Sequence, residues 1–165
     1  MAFRVLIAGI GNIFLGDDGF GPEVARHVGE KFGLADGVRV TDYGIRGMHL
    51  AYDLLDGWDA LVLIDAVPDR GTPGRLRVFE ADHGSTSGEV GLDAHGMDPG
   101  TVFASLRALG GSPPRTVVVG CEAADVGDGI GLSDPVRAAV PEAVAAVQAA
   151  VTMLRADHAA VVREG

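Results

Sequence analysis

The 165-residue sequence has a single cysteine, Cys121, one tryptophan and two tyrosines. A lone cysteine excludes an internal disulfide framework and accords with a reducing compartment. Cations are also scarce: 13 Lys and Arg stand against 23 Asp and Glu, a formal net charge of −10. Nucleic-acid binding needs a basic face that this balance does not supply. Attraction to an anionic membrane surface is opposed for the same reason. Long apolar runs are missing too. Stretches such as Ala60–Ile64 and Thr116–Val119 fall far short of the roughly 20 residues a membrane-spanning helix requires. The amino terminus enters a core-like strand almost at once, with no leader visible, so the expectation is a cytoplasmic protein with no membrane partner. There is no Gly-x-Ser-x-Gly elbow and no His-Glu-x-x-His helix, which leaves a serine hydrolase or a conventional zinc protease without support. The 25 glycines follow no fixed period, so the chain is not a repeat array.

What is present is apolar and patterned. Hydrophobic residues make up 47% of the chain and mean hydropathy is +0.25, enough to bury a sizeable core in one domain spanning 1–165. Phe3–Ala8 reads as a buried strand. Phe20, Val24, Val28 and Phe32 recur every four residues, as on one helix face, with Pro22 in the first turn. Gly37–Tyr43 reads as a second strand and Gly47–Leu55 as a short helix. Ala60–Asp65 suits a parallel strand covered on both faces, and Leu76–Glu80 an edge strand. Residues 81–97 look like a loop rich in Gly, Asp and His. Pro99–Leu109 is helical and Arg115–Cys121 is another buried strand. After an acidic, glycine-rich loop over Glu122–Gly131, the chain ends in a long helix that Pro141 is expected to open. This alternation gives a three-layer α/β/α sandwich around a mostly parallel sheet of about five strands.

Chemistry gathers where the strands end. Strand 1 runs into Gly9-Ile10-Gly11-Asn12, and the carboxylates Asp17 and Asp18 follow just before the helix. The glycines resemble a phosphate-binding turn, but the acids oppose phosphate and the third glycine is misplaced, so a nucleotide site is a weak alternative. Asp42 ends strand 2 and Asp65 ends strand 3. In a parallel sheet these ends converge on one edge, where ligand sites lie. His95, in the long loop, could fold over that edge. Two carboxylates and an imidazole suit a divalent ion such as Zn²⁺ or Ni²⁺. Each residue also has an ordinary reading. One of Asp17 and Asp18 could cap the helix, Asp42 and Asp65 could start turns, and His95 could be a solvated loop histidine. His27 and His158 read as surface, while His49 and His83 are ambiguous. Cys121 could act as a thiol nucleophile with His95 as base, although buried cysteines are usually inert.

Those segments carry a resemblance. Ile7–Gly21 (IAGIGNIFLGDDGFG), Asp42–Leu55 (DYGIRGMHLAYDLL), Leu61–Val67 (LVLIDAV), Asp93–Met97 (DAHGM), Val119–Asp128 (VGCEAADVGD) and Gly131-Leu132-Ser133 stand in the order seen in the [NiFe]-hydrogenase maturation endopeptidases. The chain resembles that family over most of residues 3–155. The resemblance implies an endopeptidase that removes the carboxy-terminal extension of the nickel-loaded hydrogenase large-subunit precursor. It also implies a metal held by two acids and a histidine, which fall here on Asp18, Asp65 and His95, with Asp42 as a nearby acid that could orient a ligand or act as base. The metal would be nickel presented by the substrate, or another divalent ion such as zinc. The implied partner is the precursor alone, and a monomer is expected. Three features depart from the family pattern. Asp18 stands where Glu is frequent, Asp42–Gly47 lacks a glycine and a threonine of the usual Asp-Gly-Gly-Thr-x-Gly, and Ala123 replaces a common Pro. A non-catalytic, nickel-sensing chaperone of hydrogenase assembly is the alternative reading.

Overall fold

Two uninterrupted apolar runs form the middle of the sheet. β1 (Val5–Ile10) and β3 (Ala60–Val67) are buried along their whole length, as strands covered on both faces must be. The computed structural model, which describes residues 2–32, 37–83 and 98–164, adds β2 (Val38–Gly44), β4 (Leu76–Glu80) and β5 (Arg115–Glu122). The strand order is β2-β1-β3-β5-β4. All neighbours run parallel except β4, which pairs antiparallel with β5 at the edge. The three-layer expectation is borne out.

Alternation along the strands divides the core in two. Val5, Ile7, Val62 and Ile64 face one side, where they meet α1 (Phe20–Phe32) and α4 (Asp134–Glu164). Leu6, Ala8, Leu61 and Leu63 face the other, where they meet α2 (Gly47–Asp53) and α3 (Pro99–Ala108). Phe20, Val24 and Val28 form the buried stripe of α1, as their spacing requires. The chain leaves β1 for β2 on one flank and returns to β3 on the other. The carboxyl ends of β1 and β3 therefore border a topological switch point, the crevice where open α/β sheets bind ligands.

Several boundaries differ from expectation. β3 continues two residues past Asp65, and β5 includes Glu122. The helix expected over 47–55 ends at Asp53 and closes with a 3₁₀ turn, Leu54–Asp56. Pro141 does not open the last helix but lies inside it. A mid-helix proline loses the bond to the carbonyl four residues earlier and crowds that carbonyl, and the buried stripe Val136, Val140, Val144, Val147, Val151 and Leu154 outweighs that cost. By length and composition α4 could cross a membrane, yet this stripe packs against the sheet and α1.

One glycine fixes how closely α1 approaches the sheet. A β-carbon at Gly21 would run into the backbone carbonyls of Ile10, at the end of β1, and Ile64, within β3. Gly21→Ala is expected to cost about 3 kcal/mol or more, since the obstruction is backbone and cannot swing aside. Denaturant unfolding of the variant checks this.

Candidate active site

The segment after β1 turns back on itself before α1 begins. Gly11 takes a φ of +140°, and a β-carbon there would overlap the carbonyl of Asp18. Only glycine permits this turn, which folds 12–18 against the strand end. A short 3₁₀ turn, Gly16–Gly19, then presents the two adjacent acids in different directions.

Asp17 points inward and is fully buried. Its carboxylate accepts from the Ala124 and Asp125 amides at 2.8 and 3.0 Å, and from the Ser133 amide and hydroxyl at 2.7 and 2.8 Å. Burial alone would raise its pKa, but these bonds, led by the Ser133 amide, outweigh burial and hold it below the ordinary value. Asp17 is thus neither helix cap nor ligand: it pins the acidic loop between β5 and α4. Asp18 faces the switch point, and its Oδ2 accepts from the Asn12 amide at 2.7 Å. A cleft of about 160 Å³ opens beside Asp18, walled by Ala66, Val67, Ala123 and Ala124.

Asp65 lies two residues before the end of the central strand, on the α2/α3 side, and is 5% exposed. Burial, and then the neighbouring Asp18 charge, push its carboxyl well above the ordinary range. The Ala66 amide opposes the shift, while Asp98 adds to it. Asp98 caps α3 through the Gly100 amide and Thr101 hydroxyl at 3.0 and 3.1 Å. Sequence reading had passed over this acid, although Asp-Pro at a helix start announces a cap. A buried carboxyl whose ionisation a neighbouring carboxylate opposes is one that a cation would stabilise in charged form. The donor chemistry therefore fits a divalent metal.

The other nominated residues lie elsewhere. Asp42 is exposed, and its Oδ1 accepts from the Gly44 amide at 2.9 Å. It lies on the edge strand, beside Ile13, Pro22 and Val40, and strand alternation turns it to the sheet face opposite Asp65. His95 lies outside the described residues, and among those that are described no three of His, Cys, Asp and Glu gather as a metal set. His83 is no substitute, because its Nε2 meets the Thr116 hydroxyl at 2.9 Å, at the amino end of β5. Cys121 is buried on the α1/α4 side, and its thiol is pushed up to about 12 by burial and the nearby Asp17 and Glu122 charges. A thiol held protonated in this way does not serve as a nucleophile.

Glu122 completes the frame. It is fully buried, accepts from the Arg70 and Thr72 amides, and pairs with Arg77 at 3.0 Å. The Arg70 amide leads the effects that keep its carboxyl below the ordinary value. The turn after β3 is thereby tied to β5, and the cleft beside Asp18 keeps its wall. A larger groove, about 660 Å³, runs between α1 and α4 and includes none of Asp18, Asp42 and Asp65 in its lining.

This geometry has counterparts. The family model described as hydrogenase maturation protease matches residues 22–150. The hydrogenase expression/formation protein HupD of Rhizobium leguminosarum bv. viciae is 32% identical, over 96% of this chain and 77% of its own. Among solved structures, the hydrogenase maturating endopeptidase HybD from E. coli superposes with a TM-score of 0.78 at 28% identity, covering 92% of this chain and 93% of that one. The [NiFe] hydrogenase maturation protease HybD from Thermococcus kodakarensis gives 0.71 at 29% identity, over 88% and 97%.

Proposed function

The chain belongs to the hydrogenase maturation protease family, a family of endopeptidases, and on that premise we propose how it works: it reads nickel in the precursor of a [NiFe]-hydrogenase large subunit and cuts off the carboxy-terminal extension beside Asp18 and Asp65. One observation carries this reading. Two buried carboxylates stand together at the β1/β3 switch point, and burial, followed by the neighbouring Asp18 charge, pushes the Asp65 carboxyl well above its ordinary range. Asp18 and Asp65, with His95 from the loop outside the described residues, would hold a divalent metal. The substrate's nickel fits that role, and zinc fits the same donors. A metal so held polarises a carbonyl or a water.

The chain's own residues prepare that encounter. Gly11 and the Asn12 amide orient Asp18. Burial raises the Asp65 pKa, and a cation held there would favour its charged form. Asp17 and Glu122 fix the two walls of the cleft. Asp42 organises the turn at Gly44 as a positioning residue, which supports the substrate-facing loop after β2. The protein works as a cytoplasmic monomer in this reading.

The test is to incubate the protein with nickel-loaded precursor and weigh the products. Loss of a single carboxy-terminal peptide, absent without nickel, is expected. His95→Ala is expected to keep the wild-type melting temperature and lose processing by about 10³-fold. Near-normal processing by a well-folded His95→Ala protein would remove that residue from the site. An intact precursor that nonetheless forms a nickel-dependent complex with the protein would mean a chaperone, not a protease.

A further inference from the structure

The loops that frame the two carboxylates are unlike the rest of the surface. Residues 12–16 (NIFLG), 44–48 (GIRGM) and 129–132 (GIGL) contain one charged side chain, Arg46, in a protein that is 22% charged. Their apolar side chains are turned outward. Phe14 is 61% exposed, Ile45 63% and Ile130 77%, with Ile13 and Met48 about half exposed. Isolated exposed apolar residues are ordinary, but a contiguous group of them marks a binding site.

The backbone makes these three loops contiguous. The Gly129 amide donates to the Phe14 carbonyl and the Gly16 amide to the Gly129 carbonyl, both at 2.9 Å, which sets Ile130 next to Phe14. The Gly11 amide donates to the Gly44 carbonyl at 2.9 Å, which sets Ile45 beside the start of the same loop. Asp17 anchors the far end through Ser133. Arg46 spends its guanidinium on the Tyr43 and Asp42 carbonyls, so even this charge braces the backbone. The rim is apolar and braced by these backbone bonds, and its 12–16 loop is tied to Asp18 itself through the Asn12 amide at 2.7 Å. A preorganised apolar surface binds without an ordering cost.

We propose that this rim, Ile13, Phe14, Ile45, Met48 and Ile130, is the docking surface for an apolar segment of the protein substrate next to the bond to be cut. The proposal rests on the peptidase reading and names the chemistry by which the substrate is gripped. Two observations favour this occupant over a second copy of the chain. The 12–16 loop leads directly into Asp18, so a copy seated on it would crowd the site. The net charge of −10 also sets like-charged copies against one another. Pairing cut and grip on the same loops lets the enzyme use side chains away from the scissile bond to position it.

The test uses the full chain and a nickel-loaded large-subunit precursor, with wild type beside the double variant Phe14→Ser/Ile130→Ser. Both sites are exposed, so the melting temperature is expected to hold. Precursor binding, read on a surface sensor, is expected to weaken about 30-fold, the loss typical of an apolar anchor at an interface. The single variant Val78→Ser, at an exposed position on β4, is expected to bind like wild type. Unchanged binding of the precursor by the folded double variant overturns the proposal. So does a wild-type dimer that the double variant abolishes while precursor binding persists. If wild type binds the precursor through the rim yet never cuts it, the docking surface stands and the peptidase reading fails.

Discussion

Asp65→Asn is expected to fold as well as the wild type, or better, and to process precursor about 10³-fold more slowly. The two effects have one origin. Asp65 is buried beside Asp18, and burial and that charge together raise its pKa. Without a cation, burial and the Asp18 charge disfavour the ionised form in the native state, and asparagine copies the neutral acid in shape. A group whose folded pKa lies above its unfolded one binds more protons when folded. Stability therefore falls as pH rises from the ordinary carboxylate range towards the raised value. The metal-free wild type pays this penalty and the variant does not. The stability advantage of Asp65→Asn should be nil in acid and grow with pH across that window. Urea unfolding at a series of pH values reads the first effect, and mass spectrometry of the processed precursor reads the second. A variant that is both less stable at neutral pH and still active would mean that Asp65 is an ordinary strand-end acid.

Much of this arrangement was legible in the chain. The uninterrupted apolar runs at β1 and β3 announced buried parallel strands. Strand ends in a parallel sheet share an edge, so the sequence pattern itself places Asp18 and Asp65 together. The four-residue spacing of Phe20, Val24 and Val28 gave the inner face of α1. Other features were hidden because they depend on partners distant in sequence. Asp17 and Asp18 are adjacent acids with no local mark to separate them, and their division of labour is set by Ser133, 116 residues away. Asp42 lies two residues before the end of its strand, as Asp65 does, but strand alternation and its place at the sheet edge turn it elsewhere. Pro141 misplaced a helix start because local propensity reads a proline as a boundary, whereas the valine stripe of α4 keeps the helix running through it.

Asp17→Ala is expected to lower stability by about 3 kcal/mol, roughly 10 °C in melting temperature for a chain of this size. The carboxylate collects three amides and one hydroxyl, all from the loop between β5 and α4. Removing it leaves that loop without its anchor and several donors without an acceptor. Ser133→Ala removes only the hydroxyl among these donors and should cost about 1 kcal/mol. Asp17→Asn should recover little, because its NH₂ would face donors. The pH dependence has the opposite sign to that of Asp65. The folded pKa of Asp17 is depressed, so its contribution is complete above the ordinary carboxylate value and is lost as pH falls through the lowered one. The gap between wild type and Asp17→Ala should therefore close in acid. Activity should fall as well, but for a different reason than in Asp65→Asn. The loop that Asp17 holds carries Ile130 and walls the cleft beside Asp18, so its release loosens both grip and site. A variant at residue 17 that melts early and one at residue 65 that melts late, both inactive, would separate the acid that builds the site from the acid that works in it.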